Sequence, residues 1–320
     1  MSLRSELRLL RQARDWRGRS RVPRSAQRWA PVEDKDDFPT AWARTAAAGV
    51  VRAGLQRGVL KPVTWAQTRP VVEGLEYLAD LRGPAVFVAN HSSHLDTPAI
   101  LGSLPTRVTD RLAVGAAADY FFASQLTAVA TTLLFNAFPV ERRGSRRGPS
   151  LAAELIDDGW SLLLYPEGSR SMDGWMTAFK LGAAQLCITK GVPAVPIALR
   201  GTHAAMPRGT SWPRAGRPRL SVRYGRPLHA APGETVREFR LRLAGAVARL
   251  WAEEDLGWYG ALRAAADGTL ELPTHRRGVL PSGSAGDRRG HDGGAVAPWR
   301  RYWESSRPIA DDGPRRVWPD

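Results

Sequence analysis

Residues 85–96 read Ala-Val-Phe-Val-Ala-Asn-His-Ser-Ser-His-Leu-Asp. Five apolar residues break abruptly into polar ones, and the stretch ends on a carboxylate. The run 85–89 has the length and the β-branched and aromatic content of a buried strand. Residues 97–103, Thr-Pro-Ala-Ile-Leu-Gly-Ser, then turn apolar again with helical spacing. Residues 161–171, Ser-Leu-Leu-Leu-Tyr-Pro-Glu-Gly-Ser-Arg-Ser, repeat the layout, with a buried strand running straight into a polar turn. A chain that alternates strand, polar turn and helix builds an α/β layer fold.

Outward from these two stretches, the pattern predicts strands at Val63–Thr68, Ala85–Ala89, Leu112–Gly115, Ser161–Tyr165, Ala194–Leu199 and Leu220–Tyr224. It predicts helices at Pro70–Leu81, Thr97–Ser103, Tyr120–Phe135, Ser150–Asp158 and Phe179–Lys190. A final amphipathic helix, Val236–Glu254, carries Phe239, Leu243, Val247, Leu250 and Trp251 on one face. The expected fold is α/β, a largely parallel, mixed sheet flanked by helices, with an N-terminal helical segment and an irregular C-terminal extension. The expected divisions are a basic N-terminal segment with an interfacial helix (1–60), a central domain (61–265) and a low-complexity extension (266–320).

The flanks differ in texture. Residues 1–30 carry nine arginines against Glu6 and Asp15, with Leu3, Leu7 and Leu10 at helical spacing. That suits either a basic amphipathic segment on anionic lipid or a solvated tail. The stretch from Trp42 to Leu60 reads as a helix with few charges, to dock on the core or lie in a lipid interface. Beyond Asp267, Gly, Pro, Ser and Arg dominate, apart from an aromatic-basic patch, Trp299-Arg-Arg-Tyr-Trp303.

A formal net charge of +15 calls for an anionic partner: nucleic acid, an anionic membrane or phosphorylated substrates. One cysteine, Cys187, excludes an internal disulfide, and no Cys/His cluster has zinc-ligand spacing. No run of about 18 uncharged apolar residues occurs, and residues 1–8 lack the apolar core of a signal peptide. The expectation is a protein that is soluble or lies on a membrane, facing a reducing compartment.

Chemistry concentrates at the two strand ends. A His leaving a strand with a carboxylate five residues on suits a base and its orienting partner: Asp96 can hold Nδ1–H of His91 and leave Nε2 to take a proton. The plainer reading is a helix cap made by Asp96 or Ser92. In the second turn Gly168 permits a tight bend and Arg170 offers a planar fork suited to phosphate. Glu167 beside it either holds that arginine or accepts from a substrate hydroxyl. Lys180 adds positive charge to the site or is a surface lysine. Phe138-Pro-Val-Glu-Arg-Arg-Gly144 supplies a further phosphate contact or a solvated basic loop.

Together these pieces resemble the glycerolipid acyltransferase family, whose best-known members are the 1-acylglycerol-3-phosphate acyltransferases. Asn90-His-Ser-Ser-His-Leu-Asp96 resembles its His-x4-Asp box and Tyr165-Pro-Glu-Gly-Ser-Arg-Ser171 its Phe-Pro-Glu-Gly-Thr-Arg-Ser box. Phe138-Pro-Val-Glu-Arg142 is similar to the intermediate box, and residues 192–199 to a Val-Pro-Ile-Val-Pro strand. Four boxes in family order are far more specific than any one. This sequence departs from the pattern at Glu141 (for Asp), Tyr165 (for Phe) and Ser169 (for Thr), and lacks a glycine before the intermediate box. The resemblance covers about residues 63–224.

The resemblance implies that His91 is the general base and Asp96 its partner. It implies that Arg142, Glu167 and Arg170 bind the acceptor's phosphate and glycerol, with Gly168 and Lys180 beside them. The implied reaction moves a fatty acyl group from acyl-CoA or acyl-carrier protein to the free hydroxyl of lysophosphatidic acid. No metal or redox cofactor is expected. The expected partners are lysophospholipid, acyl thioester, an anionic membrane surface and acyl-carrier protein, with no nucleic acid, at the cytoplasmic face of the cell membrane. Same-fold transfer to another acceptor (another lysophospholipid, glycerol 3-phosphate or an amino-acid lipid), and a basic nucleic-acid- or membrane-binding protein without enzymatic activity, are the competing expectations.

Overall fold

The computed structural model describes residues 40–117, 125–140 and 151–270. Segment 1–30, Arg142 with Arg146 and Arg147, and the 299–303 patch lie outside the described residues.

A helical stretch comes first: a 3-10 turn Ala41–Arg44, α1 (Ala46–Leu55), a π turn Gln56–Leu60, and α2 (Lys61–Gln67). Then follow β1 (Arg69–Glu73), a 3-10 turn Leu75–Leu78, β2 (Val86–Ala89), α3 (Asp96–Ser103), α4 (Thr106–Thr109) and β3 (Leu112–Ala117). Next come α5 (Gln125–Phe135), β4 (Ala137–Val140), α6 (Leu151–Asp157), β5 (Ser161–Leu164) and α7 (Gly182–Lys190). The chain continues with β6 (Ala194–Arg200), α8 (Thr202–Ala205), β7 (Arg219–Tyr224) and α9 (Val236–Ala266).

The strands form one sheet in the order β1-β7-β6-β2-β5-β3-β4. Every neighbouring pair is parallel except β6 and β7. Its centre is apolar on both faces because helices cover both, which is why these strands read as continuous apolar runs. Val86 and Val88 of β2 pack with Leu155 of α6, Cys187 of α7, and Phe239 and Val247 of α9. Phe87 and Ala89 pack on the other face with Ile100 of α3 and Val108 of α4. Each fully buried side chain of this size contributes roughly 1.5–3 kcal/mol. A capping box starts α9: Thr235 Oγ1 accepts from the Glu238 N–H, and Glu238 returns the bond to the Thr235 N–H. Non-helical geometry at Gly257 (φ 67°) divides α9, which continues well past the expected end at Glu254.

Charged groups tie β7 to α9. Arg223, 7% exposed, bonds Glu254 at 2.5 Å and Glu73 at 2.9 Å, while Arg219 reaches Glu254 at 3.3 Å. Burial works to raise the Glu254 carboxyl, but Arg223, then Arg219 and Arg200, outweigh it and hold it below the usual carboxylate range.

Two expectations fail at the start of the sheet. Val63–Thr68, read as a strand, is the helix α2 and its end. Thr64 and Thr68 donate their hydroxyls to the carbonyls of Leu60 and Thr64, four residues back, which satisfies β-branched residues inside a helix. Trp65 lies so close to Gly102 of α3 that a Cβ there would sit 2.3 Å from the indole, so helix docking overrides the strand propensity. Pro70–Leu81, read as a helix, holds strand β1 and one 3-10 turn. Pro70 is tolerated because β1 is an edge strand, bonded only to β7. Strand β4 was absent from the expected set, and it too carries a proline, Pro139, on the opposite edge.

Register fixes the site. Val88 of β2 pairs with Leu164 of β5, and Ala89 with Ile197 of β6. The segments that leave β2 and β5 therefore emerge side by side at the carboxyl edge of the sheet, where open α/β sheets bind ligands.

Candidate active site

Beyond Ala89 the ladder is continued by a side chain. Asn90 donates its amide to the Leu199 carbonyl at 3.0 Å and accepts the Leu199 N–H at 2.8 Å. This fixes where the next residue starts. His91 then places Nδ1 2.8 Å from Asp96 Oδ2. Asp96 opens α3 and is fully buried. The same oxygen accepts the N–H groups of Ser92 at 2.7 Å and Ser93 at 2.8 Å, while Oδ1 has no hydrogen-bond partner. A carboxylate accepts only, so Nδ1 carries the proton and Nε2 is the basic nitrogen. The cap and the orienting bond, two readings in the sequence, coexist on one oxygen.

The second loop wraps the first. Glu167, 6% exposed, accepts the His91 N–H at 2.8 Å with Oε1, and the Thr177 N–H and hydroxyl at 2.9 and 2.7 Å with Oε2. The Ser171 N–H donates to the His91 carbonyl at 2.8 Å. Glu167 thus faces inward, with both oxygens occupied by protein donors. Burial pushes its carboxyl up to about 8, and the bonds from Thr177 and His91 pull back without cancelling that. Tyr165 stacks its ring on the imidazole, centroids 4.0 Å apart and planes 21° apart.

Gly168 turns the loop at φ 75°, and a Cβ there would lie 2.5 Å from Lys180 Nζ, so the lysine chain passes directly over this glycine. Lys180 is tied back by its N–H to the Pro166 carbonyl at 2.8 Å, just ahead of α7. Arg170 is partly buried near His94: burial first, then the charges of Arg170 and His91, push that imidazole down to about 4. His94 is therefore neutral at ordinary pH.

The structure brings together His91, Asp96, Glu167, Gly168, Arg170 and Lys180. Arg142 falls outside the described residues. The sequence gives no sign of Thr177, ten positions from Glu167, or of the pairing of Asn90 with Leu199, more than a hundred residues away. Among the described residues no group of three or more His, Cys, Asp or Glu could hold a metal ion.

Loop, base and sheet edge together make an α/β site with an oriented histidine base and cationic groups alongside. Residues 69–200 match the family model described as Acyltransferase. Over that span the chain is similar to the acyltransferases. It is 34% identical over 142 residues to a chloroplast 1-acyl-sn-glycerol-3-phosphate acyltransferase of Arabidopsis thaliana, covering 43% of this chain and 38% of that protein. Another from Brassica napus is also 34% identical over 142 residues, covering 43% and 39%. The chain thus spans about two fifths of the length of these curated relatives. The crystal structure of the 1-acyl-sn-glycerophosphate acyltransferase of Thermotoga maritima superposes with a TM-score of 0.51 at 25% identity, covering 63% of this chain and 79% of that one.

Proposed function

We propose that this protein transfers a fatty acyl group from acyl-CoA or acyl-carrier protein to the free hydroxyl of 1-acylglycerol 3-phosphate, giving phosphatidic acid in phospholipid biosynthesis. The observation that carries this reading is the 2.8 Å bond from His91 Nδ1 to buried Asp96, at the carboxyl edge of the sheet and inside the matched span. Nε2 of His91 takes the hydroxyl proton as the oxygen attacks the thioester carbon. The new C–O bond forms, the tetrahedral intermediate collapses with loss of the C–S bond, and the imidazolium returns the proton to the departing thiolate. Asp96 stabilises the imidazolium between those two transfers. No cofactor beyond the thioester co-substrate enters this cycle.

Arg170 and Lys180 supply positive charge for the acceptor's phosphate, and Arg142 joins them by the family resemblance. Glu167 serves by holding the His91 backbone and not by touching the acceptor. The protein acts from the membrane surface on its cytoplasmic side. No helix among the described residues is long and apolar enough to cross a membrane, and the 41–67 helical stretch exposes Val50, Val51, Val59 and Val63. The test is to offer the purified full chain a panel of lysolipids with acyl-CoA and acyl-carrier protein, in anionic vesicles, and identify products by mass. Phosphatidic acid from lysophosphatidic acid supports the reading. Acylation of another lysolipid alone would move the acceptor, and no acylation of any would remove the activity.

A further inference from the structure

His91 is held at four points, and one of them departs from the pattern of the family that the sequence resembles. Asp96 holds Nδ1, Glu167 the N–H and Ser171 the carbonyl. The fourth is Tyr165, which stands where the resembling family carries Phe. A phenylalanine would supply the stacked ring but nothing to hold it. The Tyr165 hydroxyl, by contrast, lies 2.8 Å from Thr97 Oγ1. Thr97 directly follows Asp96 in the first turn of α3. The contacts close a circuit: imidazole on phenol ring, phenol hydroxyl to Thr97, Thr97 through the backbone to Asp96, Asp96 back to the imidazole. The ring is thereby anchored to the same helical turn that anchors the carboxylate.

We propose that Tyr165 is a positioning residue for His91, its hydroxyl tied to Thr97 so that its ring fixes the imidazole plane relative to Asp96. The proposal rests on the acyl-transfer reading above, in which His91 Nε2 meets the acceptor hydroxyl. A buried phenol must find a hydrogen-bond partner, and many partners would satisfy it. Bonding to the residue beside Asp96 joins the two loops that hold the base. Burial keeps the phenol neutral by pushing its ionisation well above the ordinary tyrosine range. The stacked face therefore carries no phenolate charge against the histidine. Errors of orientation in a proton-transferring group appear in the chemical step, not in substrate affinity.

The test compares Tyr165→Phe, Thr97→Val, their double variant and Tyr165→Leu in the full chain, with unfolding followed alongside. Either single substitution that breaks the tie should lower kcat about 3–10-fold, the size of one neutral hydrogen bond, with KM for acceptor and thioester unchanged. The double variant should be no worse than the singles, because both remove one bond. Tyr165→Leu should cost kcat more. In NMR spectra the His91 ring protons should carry an upfield ring-current displacement that persists in Tyr165→Phe and vanishes in Tyr165→Leu. Unchanged kcat in both tie-breaking variants, additive losses in the double variant, or His91 resonances indifferent to Tyr165→Leu would overturn the proposal. If the wild-type chain transfers no acyl group, the functional reading falls, and the resonances still decide whether Tyr165 holds His91.

Discussion

Replacing Asp96 by Asn tests how the carboxylate works. In a catalytic triad the same change lets the amide nitrogen face the imidazole and invert its tautomer. Here the geometry forbids that. One oxygen, Oδ2, accepts Nδ1–H of His91 together with the N–H groups of Ser92 and Ser93, and turning an NH2 toward them would oppose three donors at 2.7–2.8 Å. The amide therefore keeps its oxygen on that side and its nitrogen where Oδ1 now lies without a partner. The tautomer survives and only the charge is lost. At about 4 Å and an effective dielectric of about 20, an imidazolium and a carboxylate attract by about 4 kcal/mol. The neutral bond that remains returns about 1 kcal/mol. The net loss of about 3 kcal/mol falls on the charged transition state and lowers kcat about 100-fold. Steady-state acyl transfer in folded Asp96→Asn, Asp96→Ala and His91→Ala should rank them in that order, His91→Ala losing about 10³–10⁴-fold. An Asp96→Asn protein as crippled as His91→Ala would show that the amide had flipped, and the shared-oxygen argument would be wrong.

Glu167→Gln cannot match an amide to donors on both sides, so at least one N–H, of His91 or Thr177, loses its acceptor. Such a loss in a buried site costs about 1–3 kcal/mol, read as a lower Tm together with a lower kcat. The Glu167 carboxyl, raised by burial to about 8, binds its proton more tightly folded than unfolded. Its contribution to stability is thus full below the ordinary carboxylate range and is lost as pH rises through about 8, a slope that denaturant titrations should find in the wild type and not in Glu167→Gln. Glu254 works with the opposite sign, since its carboxyl is held low. Its stabilisation is present above the ordinary carboxylate range and is lost as pH falls through its depressed value. Glu254→Gln should cost about 3 kcal/mol at neutral pH by leaving Arg223 short of a partner, and should flatten the acid limb of the stability profile. Arg170→Ala should raise KM for a phosphate-bearing acceptor by about tenfold or more and leave KM for the thioester alone; equal effects on both would make it a structural arginine.

How much was legible depended on whether the signal was local. The central strands β2, β5 and β6 announced themselves because both faces are buried, and the polar turns after β2 and β5 mark the sheet edge. The edge strands did not, since β1 and β4 carry Pro70 and Pro139, which read as breaks until the edge position is known. Residues 63–68 have strand-like content, yet Trp65 docks against Gly102, a contact spanning 37 positions that no local window holds. His91 and Asp96 were legible as a pair because five residues separate them. The inward turn of Glu167 was not, because its partners are a backbone N–H 76 residues away and Thr177 in a segment without regular structure.

The most direct measurement is the rate of phosphatidic acid formation from lysophosphatidic acid and acyl thioester, by mass, in wild type and in His91→Ala proteins of matched fold. The account predicts steady turnover in the wild type and a loss of about 10³–10⁴-fold in the variant. Comparable rates in the two would contradict it, because the proposed cycle carries the hydroxyl proton through His91 Nε2.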